Sequence, residues 1–193
     1  MFNSWDKLEM ACKNCNKCAL RETRNNVVFG VGNKNSNILF IGEGPGENED
    51  LQGEPFVGKG GKLLDKMLAA VDLSRDKNIY IANIVKCRPP KNRDPLLEEQ
   101  EDCIDWLRNQ VLLIKPKIIV CLGRIAAMKI MNPDIKITKE HGQFIEKNGV
   151  LMMATLHPAA LLRNPTHKPG AFEDFLKLRE KIKEICPDTY EQN

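Results

Sequence analysis

Four short apolar runs punctuate the 193-residue chain: residues 37–41 (NILFI), 79–85 (IYIANIV), 117–122 (KIIVCL) and 150–155 (VLMMAT). They are continuous rather than alternating in hydrophobicity and rich in Ile and Val, the pattern of strands buried on both faces. Helical periodicity lies between and after them. Residues 62–71 (KLLDKMLAAV) put Leu63, Leu64, Met67, Leu68 and Val71 on one face, and 96–114, 124–130 and 172–185 are likewise amphipathic. Strands alternating with helices predict an α/β fold, a single domain with a central four-stranded, mostly parallel sheet flanked by helices on both faces. In such sheets ligands bind in the crevice at the carboxyl ends of the strands. Gly42-Glu43-Gly44-Pro45-Gly46-Glu47, then Asn83, Lys86 and Cys87, then Gly123-Arg124, then His157-Pro158 occupy those ends.

Two phosphate-binding patterns fail on inspection. The turn after the first strand spaces its glycines G-x-G-x-G around Pro45, and Glu43, Glu47, Glu49 and Asp50 would repel a pyrophosphate. Residues 53–60 (GEPFVGKG) have P-loop spacing but end in Gly60 where a magnesium-binding Ser or Thr belongs, and they follow no strand. The acids match no calcium loop.

With 42% hydrophobic and 28% charged residues the chain is globular, and 29 Lys and Arg against 26 Asp and Glu leave a net charge of +3, which neither demands nor excludes nucleic acid. No apolar run approaches the ~20 residues of a membrane span, and the N-terminus carries acids, amides and cysteines in place of a leader's apolar stretch. The expectation is a cytoplasmic protein with no membrane partner. No linker or repeat divides it, so residues 1–193 are expected to form one domain, with a cysteine segment at 12–18 and a polar tail at 187–193.

Seven cysteines, an odd number without a secretory leader, point to metal or redox chemistry rather than disulfides. Cys12, Cys15 and Cys18 repeat at three-residue intervals, a local spacing of ferredoxin-type iron-sulfur sites, and Cys87 and Cys103 lie downstream. Four thiolates serve zinc or a cluster equally well on ligand count, but the second close pair usual in structural zinc is absent. The gaps do not match radical chemistry on S-adenosylmethionine. Cys121, inside a strand, and Cys186, near the tail, read as a small buried hydrophobe and a bystander.

Together these stretches resemble a known family. The segments are 15–20 (CNKCAL) with Arg24 and 27–30 (VVFG), 42–50 (GEGPGENED), 53–58 (GEPFVG), 81–90 (IANIVKCRPP), 92–95 (NRDP) and 157–165 (HPAALLRNP). In this order, and over residues 15–182, the sequence is similar to the family 4 uracil-DNA glycosylases, which carry a 4Fe-4S cluster. The resemblance implies Cys15, Cys18, Cys87 and Cys103 as cluster ligands, with Cys12 an extra thiol beside them and the cluster structural. It implies a base-flipping DNA-repair hydrolase that cleaves the N-glycosidic bond of uracil in single- or double-stranded DNA and leaves an abasic site.

Each task of that chemistry has a candidate residue. Asn83, polar within an apolar strand, can pair its carboxamide with uracil O4 and N3–H, a pattern cytosine reverses. Phe56 can stack on the base, Gly44 lies beside it, and His157 can donate to O2 as negative charge develops there. No matched motif supplies a Schiff-base amine, so water is the nucleophile, with Glu43 as first and Glu49 as second choice to hold it; Glu47 and Asp50 read as solvated. Leu161, Leu162 and Arg163 resemble a minor-groove wedge. Lys86 and Arg88, with Lys59, Lys62, Lys91, Arg93, Arg124 and Lys168, form a phosphate-binding rim. His141 and His167 have no assigned role. A monomer is the default. The alternative class is a non-catalytic iron-sulfur DNA-binding or redox-sensing module on the same fold, which would need the cluster and the rim but not Asn83, Phe56 and His157.

Overall fold

The computed structural model describes residues 2–191. The four apolar runs form its central strands: β2 (Ile38–Gly42), β3 (Ile79–Asn83), β4 (Ile118–Leu122) and β6 (Val150–Thr155). They lie side by side in the order β3-β2-β4-β6, all parallel, with Gly42 beside Asn83 and Leu122 beside Thr155 at the carboxyl ends. Every residue of β2, β3 and β4 is buried, as their unbroken apolar sequence requires.

The sheet has six strands rather than four. β1 (Val31–Gly32) and β5 (Phe144–Lys147) add antiparallel edges beside β3 and β6. β1 is too short to show a period, and β5 is largely solvent-facing, so neither carries an apolar signal.

Alternate residues of each strand feed separate cores. Leu39, Ile41, Tyr80, Ala82, Ile119 and Cys121 pack on α1 (Trp5–Lys13), α4 (Leu97–Ile114) and α5 (Arg124–Ile130). Ile38, Phe40, Ile79, Ile81, Val120 and Met153 pack on α3 (Lys59–Ala69), α7 (Pro158–Arg163) and α8 (Lys168–Ile185). Two short helices, α2 (Glu47–Gln52) and α6 (Ile137–Glu140), lie on connections. The expected helices at 62–71 and 172–185 begin earlier, because glycine and proline at their first turns are tolerated where N–H groups have no helical partner.

The segment expected as a polar tail folds back as far as it is described. Thr189 is fully buried and its hydroxyl accepts from Asn37 Nδ2 at 3.1 Å; Gln192 and Asn193 lie outside the described residues. Among the described residues no helix is long and apolar enough to cross a membrane.

Candidate active site

The carboxyl ends of β2, β3, β4 and β6 open into a cleft of about 900 Å³ whose lining includes Glu43, Gly44, Phe56, Asn83, His157 and Arg163. Asn83, the last residue of β3, is 2% exposed, and its Oδ1 is fully buried with no hydrogen-bond partner among the described residues. A buried carbonyl oxygen without a donor costs roughly 1–3 kcal/mol, so native proteins rarely keep one unless water or a ligand supplies the donor. Gly42 stands beside it in register, and a Cβ there would lie 2.4 Å from Asn83 Oδ1 and 2.7 Å from Phe56 Cζ. Three residues from separate segments therefore meet at one wall of the cleft.

Phe56 is not the exposed ring that an isolated loop aromatic suggests. It is 7% exposed, adopts φ 55°, and tilts its ring against the His157 imidazole at 5.6 Å between centroids. Glu49 shapes this loop: Oε1 accepts from the backbone N–H of Val57 (2.9 Å) and Gly58 (2.8 Å), and Oε2 from that of Gly46 (3.1 Å). The carboxylate considered second for holding water is thus committed to joining α2 to the aromatic loop. Asp50, expected to be solvated, is fully buried and accepts from the backbone N–H groups of Asn25 and Asn26.

His157 caps α7: its Nδ1 accepts from the backbone N–H of Ala159 at 3.2 Å. Burial, and secondarily the Arg163 charge, push the imidazole down to about 4, so it is neutral at pH 7. With Nδ1 used as an acceptor, that hydrogen bond assigns the proton to Nε2. Glu43 shows the opposite perturbation. Burial and the nearby Asp94 carboxylate raise it to about 7, opposed by Arg124 and Arg163, a value suited to a general base at neutral pH. Gly44 turns its Cα–H toward Val85, and a Cβ there would meet Val85 Cγ2 at 2.6 Å, so an added methyl requires the Val85 side chain to turn away.

Two expected DNA contacts are corrected. Lys86 is 1% exposed, and its ammonium donates to the Asn83 carbonyl oxygen (3.0 Å) and to Gln110 Oε1 (2.6 Å), so it faces the interior and not a phosphate. Leu161 is 1% exposed and belongs to the core, whereas Leu162 is 40% exposed, with Arg163 beside it also exposed. Of the wedge, only Leu162 and Arg163 reach solvent. Arg88 is held by Asn92 Oδ1 at 2.7 Å and Arg93 is clamped on Glu99; Lys59 and Arg124 are exposed cations of the cleft lining, Arg124 paired with Asp94 at 2.6 Å, and Lys62, Lys91 and Lys168 are exposed.

Cys15, Cys18, Cys87 and Cys103 line one small chamber with Cys12, Arg24, Lys86 and Trp106. The four differ from Cys12 in their donors. Trp106 Nε1–H points at Cys15 Sγ (3.3 Å), Arg24 at Cys87 Sγ (3.4 Å) and the Lys86 backbone N–H at Cys103 Sγ (3.2 Å), and the Leu20 backbone N–H serves Cys18. Cys12 has no such donor among the described residues; burial pushes its thiol up to about 12, as it does that of Cys103, so the donors and not the titration set Cys12 apart. N–H groups on sulfur fit thiolates that keep negative charge. Among the described residues no three Cys, His, Asp or Glu side chains converge on one ion.

Residues 29–182 match the family model of the uracil DNA glycosylase superfamily. Over 193 aligned residues the chain is 46% identical to the type-4 uracil-DNA glycosylase of Archaeoglobus fulgidus, covering 96% of this chain and 94% of that protein. The chain belongs to the type-4 family of this superfamily. The type-4 enzymes of Saccharolobus solfataricus (44% identical; 98% of this chain, 92% of that one) and Thermotoga maritima (42%; 89% and 91%) are similarly close. The uracil DNA glycosylase match spans Glu43, Gly44, Phe56, Asn83, His157 and Arg163 of the cleft, together with Cys87 and Cys103.

Proposed function

We propose that the chain is a uracil-DNA glycosylase of DNA repair, a hydrolase of the N-glycosyl bond that acts on uracil flipped out of DNA and leaves an abasic site. The observation that carries this reading is the unpartnered, buried Asn83 Oδ1 in a cleft that also presents an aromatic ring and a neutral imidazole. Oδ1 accepts from uracil N3–H, and the amide N–H₂ donates to O4. With the carboxamide in this orientation, cytosine presents an amine and an unprotonated nitrogen at those places and leaves both groups of Asn83 unsatisfied, a mismatch that a buried polar site rejects. Phe56 stacks on the base, which contributes roughly 1–3 kcal/mol.

As the bond between C1′ and N1 breaks, its electron pair passes to the base, and His157 Nε2–H donates to O2 where the charge accumulates. A neutral donor suits this role, since the proton is held and not transferred. Glu43, deprotonated above about pH 7, accepts a proton from the water that attacks C1′. Leu162 and Arg163 enter the gap left by the flipped base, and the exposed cations of the rim hold phosphates.

Cys15, Cys18, Cys87 and Cys103 hold a 4Fe-4S cluster, which when bound cross-links residues 15–18 to the segment after β3 and to α4. Incubating the protein with a uracil-containing oligonucleotide tests the function: free uracil is released, the abasic strand breaks in alkali, and borohydride traps no protein–DNA adduct. Strand loss without free uracil, or a trapped adduct, would contradict a water-using glycosylase.

A further inference from the structure

Arg75 lies in the connection between α3 and β3, outside the lining of the cleft, yet it is the most fully engaged cation near it. Its side chain is 10% exposed. Nη2 donates to the Phe56 carbonyl oxygen at 2.8 Å, and Nη1 donates to that of Pro55 at 2.6 Å. The remaining N–H groups meet Asp65 Oδ1 (3.1 Å from Nε, 2.8 Å from Nη2) and Glu54 Oε1 (3.3 Å from Nη1). All five donors of the planar fork have acceptors, an arrangement that the three donors of a lysine cannot reproduce.

What this fork holds is a strained residue. Phe56 has φ 55°, a left-handed conformation costing of order 1–3 kcal/mol for a non-glycine and kept only where its surroundings enforce it. Its carbonyl is fixed from one side by Arg75 and packed from the other by Gly61, where a Cβ would lie 1.8 Å from Phe56 O. The Arg75 backbone is itself pinned by neighbours, since Asn78 Oδ1 accepts from Ser74 N–H (2.9 Å) and Ser74 Oγ from Asp76 N–H (3.1 Å). The two carboxylates on Arg75 are close to half exposed, so water can serve them without it, but no other described side chain donates to the two loop carbonyls.

We infer that Arg75 is a positioning residue that holds Phe56 in its left-handed conformation, so that the ring presents its face to the flipped base. The inference rests on the stacking role proposed for Phe56.

A double-mutant cycle tests it, with single-turnover excision from a uracil oligonucleotide, inhibition by free uracil and affinity for undamaged duplex read in parallel. Phe56→Ala weakens uracil inhibition and excision by roughly 5- to 150-fold, the range expected of one aromatic stack. Arg75→Ala and Arg75→Lys both weaken uracil inhibition by about tenfold or more while duplex affinity stays within about twofold, because the missing restraint acts on the base and not on phosphates. In the Phe56→Ala background the Arg75 substitutions have no further effect. Arg75→Gln, which keeps an amide N–H₂ donor for a loop carbonyl, gives a smaller loss of the same kind and covers the case in which Arg75→Ala folds poorly. Additive losses, or equal losses of uracil and duplex binding, would overturn the role of Arg75. An unaffected Phe56→Ala would overturn the stacking assignment itself.

Discussion

Replacing Gly42 by alanine adds one methyl group at a position that touches no substrate in the proposed chemistry, yet it should disable base recognition. The Cβ would stand 2.4 Å from Asn83 Oδ1 and 2.7 and 2.8 Å from two ring atoms of Phe56. Carbon contacts are comfortable at about 3.5–4.0 Å, so carboxamide and ring must each retreat by about 1 Å. A hydrogen bond near 2.9 Å does not survive that displacement. A two-point amide–base contact is worth about 1–3 kcal/mol and a stack about the same, so losing much of both removes about 2–4 kcal/mol. At tenfold per 1.4 kcal/mol, single-turnover excision of uracil slows by roughly 30- to 1,000-fold. The backbone of Gly42 is ordinary strand, so the substitution carries only overpacking, about 1–3 kcal/mol of stability. For a chain of this size that lowers Tm by roughly 2–12 °C, which a melting curve separates from the kinetic effect. Excision within about threefold of the parent enzyme, below its Tm, would refute the placement of the base between Asn83 and Phe56.

Because burial and Asp94 raise Glu43 to about 7, excision at subsaturating DNA should climb about tenfold per pH unit below that value and level off above it. Glu43→Gln flattens the profile. The same raised carboxyl binds its proton more tightly in the folded than in the unfolded state, so stability falls as pH rises from about 4.5 to 7, and the glutamine variant melts higher than the parent above pH 7. Cys12→Ala should purify with full iron and brown absorbance, whereas alanine at Cys15, Cys18, Cys87 or Cys103 should lose both; iron analysis of anaerobically purified protein decides. Leu162→Ala should slow excision from duplex more than from single strands, since only the duplex has a stack to hold open. Leu161→Ala should instead act through the core, costing roughly 2–5 kcal/mol by thermal or denaturant melting, with no such strand preference.

The four central strands were legible because both of their faces are buried, which leaves a continuous apolar run that no other element shares. The edges were not. β5 is mostly exposed, and β1 is two residues long. A local signal for the β5–β6 hairpin was nonetheless present: Asn148-Gly149 links Lys147 to its partner Val150, with φ of 53° and 75°, the two-residue turn that Asn-Gly favours. The cleft residues could be named because they sit at strand ends, but burial could not be read there. A lysine between an apolar strand and a cysteine looks like a surface cation, and only the tertiary fold brings Gln110 and the Asn83 carbonyl to the Lys86 ammonium. Leu161 and Leu162 are indistinguishable in sequence, and the phase of α7 alone sends one inward. Glu49 and Arg75 likewise act on backbone groups of the 53–58 loop, and such contacts leave no residue pattern.

The central claim is that Asn83 reads the base at the end of β3, and the most direct test compares the protein with its Asn83→Ala variant. Each is incubated anaerobically with an end-labelled oligonucleotide carrying one uracil and then treated with alkali, with affinity for the intact strand measured alongside. The account predicts cleavage only at uracil by the parent, and loss of cleavage by the variant with DNA affinity kept. Cleavage by both alike would remove Asn83 from base recognition, and no cleavage by a parent protein with full iron content would contradict the glycosylase reading and favour a cluster-bearing DNA-binding module.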